Sequence, residues 1–345
     1  MSTTLYLQRN QFNEQPFHLL ESAGLSVTLF KYPSGIEAVT LRNSRGYITL
    51  LPYYGQMIWD AQFDDHSLRM ENPFTEPKRG ESVVDTYGCF AFHSGLLSNG
   101  CPAQDDVHPL HGEMPCAPMD RAFLIVDEQG VTLGGEYEYV KGFGHHYRAA
   151  PSVRLNAGET LLTITMRVTN LASVPMPLQY MCHMNYAYVA DATFSQNIPD
   201  GAFQLRTSIP GHVHPTAQWL EYTAALARNP AMLESLNQPE FYDPEIVFFA
   251  DDLARYTELT AGQAEFFMQA PAHGPRFVTR FDTAQFNYAT RWILHNGDQK
   301  VAAFVLPGTC RPEGYQAASR AGTLIQLAAG ATREFSVVTG LVSKG

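Results

Sequence analysis

Between His93 and Glu113 the chain gathers His93, His108 and His111 with Asp105, Asp106, Glu113 and Asn99 in one glycine-punctuated segment. Each buried polar group needs a partner, so a core seldom collects so many together. Imidazoles in such a setting can hold hydrogen bonds, pass protons or ligate a metal near neutral pH. Pro109 and Gly112 around His111 imply a tight, fixed backbone path where the loop re-enters a sheet. A second constellation spans Pro177 to Tyr188. His183 and Asn185 stand two apart on an expected strand and share a face, while Leu178, Tyr180 and Cys182 point the other way. A third is Glu313, held between Pro312 and Gly314 on a stiff turn after the hydrophobic run Val301 to Leu306. A fourth is the scatter of Trp59, Arg79, Tyr87, Phe90, Arg291 and Trp292. Such aromatic faces can cover the apolar C–H surface of a sugar, while His, Asn, Asp and Arg bind its hydroxyls.

The elements that must position these groups are strands. Leu162, Ile164, Met166 and Val168 alternate with Thr163, Thr165, Arg167 and Thr169, and Leu25, Val27 and Leu29 repeat the pattern. Hairpins are expected across Asp127 to Gly130, Asn156 to Glu159 and Ala328 to Ala331. The fold class is mainly β, a large antiparallel sandwich. One stretch departs from period two. Trp219, Tyr222 and Leu226 fall at helical spacing, so a short helical excursion is expected around 215–236, with Pro215 in its first turn and Pro230 ending it. Residues 203–256 then form a lid or rim on the β core. A single domain over 1–345, with its core at about 25–342, accounts for the pattern best.

Composition narrows the function. The 345 residues are 45% hydrophobic and 17% charged, enough to bury a large core, and the formal net charge is −11. That charge, with no Lys/Arg run, disfavours nucleic acid and anionic membrane as partners. The first residues lack the pattern of a signal peptide, and no apolar stretch is long enough to span a bilayer. Cys89, Cys101, Cys116, Cys182 and Cys310 lack CxxC spacing and read as reduced thiols in a cytoplasmic protein. Dinucleotide loop, phosphate loop and nucleophile elbow are all missing from the sequence, so no cofactor is expected. A homodimer is compatible with the composition.

Taken in order, Gly55-Gln-Met-Ile-Trp59, His111-Gly112, the strand ending at Asn170 and followed by Pro175, His183-Met-Asn185 and Glu313 resemble the galactose mutarotase (aldose 1-epimerase) superfamily. The chain is similar in particular to a poorly characterised aldose-epimerase-like branch with His-Ser-Gly, Leu-His-Gly-Glu and Pro-Glu-Gly-Tyr signatures. The resemblance spans about residues 25–342. It implies a β-supersandwich with an open cleft on one sheet. It also implies a strand histidine that protonates the sugar ring oxygen, here His183, and a glutamate that takes the anomeric hydroxyl proton, here Glu313. The histidine of the His-Gly pair, a hydroxyl ligand, corresponds to His111. The chain departs from the pattern in lacking an Asn-Arg-Ile segment, for which Gly55-Gln-Met-Ile is the nearest counterpart. Arg79 is the candidate for the substrate arginine.

Ring opening and reclosure of a hemiacetal needs one group to remove a proton and another to supply one, which a Glu and a His can do. The expected function is therefore anomer interconversion of a free sugar by His183 and Glu313. His93, His108, His111, Asp106 and Asn185 would orient hydroxyls, with Arg79 and Trp59 as further substrate contacts. Two other readings stay open. One is a carbohydrate-binding protein without turnover. The other is a metal-dependent sugar isomerase or lyase using His93, His108, His111 and Glu113 as ligands.

Overall fold

The computed structural model describes residues 2–22, 24–272 and 274–342. Among them the strands form two antiparallel sheets, one of nine strands and one of thirteen. The smaller sheet runs from Thr3–Tyr6 at one edge through His146–Asn156, Leu161–Asn170 and Thr332–Val342 to Thr193–Gln196 at the other. The larger sheet places Met176–Met184 centrally, between Ala91–Leu96 and Lys300–Gly308. Both sheets feed one hydrophobic core. Leu162, Ile164, Met166 and Val168 are buried in it while their alternates are partly or wholly exposed, as period two requires. Tyr180 from the larger sheet meets Phe335 of the smaller at 5.1 Å, and Tyr186 bonds Thr339 at 2.6 Å. Among the described residues no helix is long and apolar enough to cross a membrane.

The strand Met176–Met184 is buried along nearly all its length. Its even residues pack between the sheets, which leaves Met181 and His183 on the outer face of the larger sheet. A second, smaller core lies on that outer face, built from Ile36, Trp59, Val83, Cys89 and Phe92 among others.

Two expectations about connections change. Ala328 to Ala331 is not a hairpin turn. Ile325–Leu327 pairs with Met176–Leu178 in one sheet, while Thr332–Val342 joins the other. Asn170 holds the crossover: its Nδ2 donates to the carbonyls of Leu327 at 2.9 Å and Val174 at 2.8 Å. The excursion is also shorter than 203–256, because Phe203–Leu205 and Ile246–Ala250 pair with each other at the edge of the larger sheet. Within it the helix is Ala217–Arg228, with Trp219, Tyr222 and Leu226 buried. Thr216 is its N-cap, accepting from the Trp219 amide at 3.1 Å, so Pro215 lies before the cap rather than in the first turn. Pro230 then opens a short 3-10 turn, Pro230–Leu233.

Candidate active site

A cleft of about 390 Å³ opens on the outer face of the larger sheet, within the ~300–1,000 Å³ range of small-molecule sites. His183 and His111 form its floor, Tyr87 and Trp292 flank them, and Arg206, His212 and Glu245 come from the excursion and its edge strand.

His183 owes its place to strand register. It pairs with Phe92 across the ladder, and the two rings stack at 4.5 Å and 13°. Trp292 stands 5.7 Å away at 68° and His111 4.7 Å away at 81°. Asn185 lies just past the strand, fully buried behind His183. Its Nδ2 donates to the Cys89 carbonyl at 3.0 Å, which turns Oδ1 into the free acceptor. Among the described residues His183 Nδ1 and Asn185 Oδ1 are both buried without a hydrogen-bond partner, so a proton on Nδ1 is the tautomer that would offer the Asn185 acceptor a donor. Nε2 faces the cleft, where the Tyr87 hydroxyl lies 3.3 Å away, and in that tautomer it carries the lone pair. Burial holds the His183 pKa down to about 3, against a smaller upward pull from Asn185. Burial likewise keeps the Tyr87 phenol protonated, well above its ordinary pKa.

His111 sits on a left-handed residue, φ 63°, followed by Gly112 at φ 80°. For a non-glycine residue such a conformation costs of order 1–3 kcal/mol and persists only where its surroundings dictate it. Here the His111 amide donates to the Gly100 carbonyl at 2.9 Å and its carbonyl accepts from Gly95 at 3.0 Å. Gly112 is required, since a Cβ there would stand 2.2 Å from the Ser98 carbonyl oxygen. The Nδ1 of His111 lies 2.9 Å from Ser94 Oγ. Burial, and then the neighbouring His183, His212 and His108, keep His111 neutral, its pKa well below 6.5.

The facing wall is built on Glu245. The edge strands extend by one bond beyond Phe203–Leu205, Arg206 N to Val247 O at 2.8 Å, which sets Arg206 beside Glu245. The two form an ion pair whose side chains are both about nine-tenths buried. The other carboxylate oxygen accepts from the Trp292 indole at 2.7 Å, and His212 Nε2 lies 3.8 Å from Oε1. The Trp219 indole fixes the Glu245 carbonyl at 2.9 Å. With its oxygens taken up by charged and polar donors, this carboxylate is held in one orientation.

The residues expected from sequence divide sharply. His183 and His111 are brought together, and Asn185 supports His183 from behind instead of facing a ligand. Glu313 is not among the cleft-lining residues. Its carboxylate accepts from Ser208 Oγ at 2.9 Å, lies 4.0 Å from Arg311, and faces a neighbouring groove, with Pro312 lining the cleft in its stead. His93 is on the wrong face of its strand: it pairs with Cys182, points between the sheets, and meets the Tyr180 hydroxyl at 2.9 Å. Burial lowers its pKa to about 4. Asp106 pins a loop, accepting from the amides of Ala103 and Gln316, each at 3.0 Å. His108 turns Nδ1 to the Pro109 carbonyl at 2.8 Å and stays outside the cleft. Arg79 is more than half exposed, bonded to the Gly35 carbonyl at 3.0 Å and paired with Glu37. Trp59 belongs to the second core, with the Arg69 guanidinium 4.5 Å over its ring. Among the described residues no three His, Cys, Asp or Glu side chains converge to hold a metal ion. His93 and His111 lie on opposite faces of the sheet, so they cannot share one.

Arg206, His212 and Glu245 carried no motif in the sequence. Tyr87 and Trp292 did appear there, in the aromatic scatter. The missing signal was the pairing of two short strands, 203–205 and 246–250, separated by the helical excursion.

Residues 33–191, less than half of the chain, match a family model described as Domain of unknown function (DUF4432). Among curated proteins no match was found. Solved structures give broader coverage. A candidate aldose 1-epimerase from Klebsiella pneumoniae superposes with a TM-score of 0.79 at 14% identity, covering 100% of this chain and 92% of the other. A galactose mutarotase-like protein from Clostridium acetobutylicum gives 0.59 at 13% identity, over 92% and 98% of the two chains. A candidate mutarotase from Salmonella typhimurium gives 0.60 at 10% identity, over 95% and 96%. The chain thus has the galactose mutarotase-like β-sandwich fold.

Proposed function

We propose that this chain is an aldose 1-epimerase-like isomerase that binds a free sugar in the cleft and interconverts its anomers. The observation that carries the proposal is the pairing of a neutral imidazole and an oriented carboxylate, His183 and Glu245, on facing walls linked by Trp292. The fold adds support, since the neighbours named above are described as candidate epimerases or mutarotases.

The proton inventory sets the roles, and it reverses the expected one for His183. That residue rests neutral with a lone pair toward the cleft, so it enters as the acceptor of the anomeric hydroxyl proton. As that proton leaves, the bond from the anomeric carbon to the ring oxygen breaks. The ring oxygen takes a proton from the facing wall, where His212, its Nε2 3.8 Å from Glu245 Oε1, is the donor. After rotation about the first carbon–carbon bond of the sugar, both transfers run backward and each group regains its starting state. His111 accepts a neighbouring hydroxyl, and Trp292 and Tyr87 cover the sugar's apolar face. No cofactor enters this scheme.

The cleft also selects its substrate. Among the described residues Arg206 is the sole Lys or Arg lining it, and Glu245 already pairs with that charge. Asp243 adds a further carboxylate. Among the described residues a phosphate or uronate would find no unpaired Lys or Arg there, which favours an uncharged sugar as the substrate. Polarimetry across a panel of hexoses, pentoses, deoxysugars and uronates tests this. Accelerated anomer exchange for at least one neutral sugar is expected. Calorimetric binding of a sugar with no acceleration across the panel would assign the protein to carbohydrate binding without turnover.

A further inference from the structure

We infer that Gln179, Cys310, Asn99 and Ser94 form a positioning chain that fixes His111 as its Nδ1–H tautomer, presenting Nε2 to the cleft as an acceptor. The chain is directional because it starts on a group with only one role. The Leu97 carbonyl can only accept, and Gln179 Nε2 donates to it at 3.1 Å. Gln179 Oε1 is thereby turned to Cys310, whose thiol donates to it at 3.5 Å. With its proton used, the sulfur accepts from Asn99 Nδ2 at 3.8 Å, a weak bond but one that decides which way the amide faces. Asn99 Oδ1 then accepts the Ser94 hydroxyl at 2.6 Å. Ser94 has a single proton, so its oxygen can only accept at the 2.9 Å contact with His111 Nδ1. The His111 carbonyl, 3.3 Å from Ser94 Oγ, competes for the same proton. Its success would leave the conclusion unchanged, since Ser94 would still have none to give to Nδ1.

Gln179, Asn99, Ser94 and Cys310 are all essentially inaccessible to solvent, and none lines the cleft. They act on a ligand only through His111. A two-donor amide, a thiol and a hydroxyl in sequence make little sense as plain packing, because apolar side chains of the same volume would avoid the need for partners. Their common product is the orientation of one imidazole. That Nε2 accepts a sugar hydroxyl rests on the proposed function; the tautomer itself does not.

The test is long-range ¹H–¹⁵N NMR on histidine-labelled protein without ligand. Wild type should show His111 with a protonated Nδ1 and an unprotonated Nε2. Cys310→Ala frees the Asn99 amide to rotate, the Ser94 hydroxyl to turn toward Nδ1, and the Nε2–H tautomer to appear. Cys310→Ser, which can still donate to Gln179 and accept from Asn99, should restore the wild-type pattern. Ser94→Ala breaks the chain independently and should also release the tautomer. An unchanged Nδ1–H signal in either alanine variant, or an Nε2–H tautomer in wild type, overturns the inference. With a sugar that the wild type turns over, Cys310→Ala should raise KM about tenfold, the equivalent of one hydrogen bond, and leave kcat within about twofold. Absence of turnover with every sugar would count against the proposed function and leave the NMR result to stand on its own.

Discussion

The Trp292 indole donates to Glu245 Oε2 at 2.7 Å while its ring stands 5.7 Å from that of His183. One side chain thus orients the carboxylate of one wall and packs against the imidazole of the other. Trp292→Phe keeps most of the ring packing and removes the N–H. Anomer exchange should slow about tenfold, matching the loss of a hydrogen bond to a charged group, with little change in melting temperature. Steady-state polarimetry beside thermal unfolding separates the two effects.

Glu245 and Glu313 make opposite predictions. Glu245→Gln leaves Arg206 without its carboxylate and His212 without its anionic neighbour, so exchange should fall about a hundredfold or more. Glu313→Gln disturbs a partly exposed contact with Ser208 outside the cleft, and should change the rate less than about threefold. Equal losses in both variants would return Glu313 to the reaction.

The buried histidines make stability depend on pH. His93 has its pKa lowered by burial from 6.5 to about 4. The unfolded chain therefore binds a proton in the window between these values that the folded chain refuses. The stabilisation is complete above 6.5 and is lost as pH falls toward 4. The loss amounts to about 2 kcal/mol at pH 5. Urea unfolding of wild type and His93→Asn at pH 7 and pH 5 checks this. The variant's drop between the two pH values should be smaller by about that amount, whatever its baseline stability.

Asp106 should matter for folding and not for chemistry. Its two backbone contacts join the loop at Ala103 to the start of the helix Tyr315–Arg320. Asp106→Ala leaves both amides unpaired and should lower stability by about 1–3 kcal/mol. KM for a sugar turned over by the wild type should stay within about twofold.

Period two made the sandwich legible, and the same parity put His183 on the cleft face opposite Leu178, Tyr180 and Cys182. Parity cannot say which face of a strand is the cleft, so His93 reads from sequence as a cleft residue while it lies between the sheets. It follows Phe92 by one residue, and only the register against His183 shows that Phe92 faces outward. Asp106 and His108 looked like ligands because a polar loop and a binding loop share composition. The loop's own backbone uses them instead. Arg206 and Glu245 were invisible because they meet across a 39-residue separation that spans a helix. The Ala328 to Ala331 turn misled because Gly330 at φ 70° serves a crossover as well as a hairpin.

His183 is the group on which the account depends, since its Nε2 faces the cleft beside the Tyr87 hydroxyl and burial keeps the imidazole neutral. The most direct measurement is exchange NMR of anomer interconversion with wild type and His183→Asn, using the sugar that the wild type turns over fastest. Asparagine fills much of the same space and cannot take up the anomeric proton. The account predicts a rate at least about a hundredfold lower with sugar binding retained. An undiminished exchange rate in His183→Asn would contradict it.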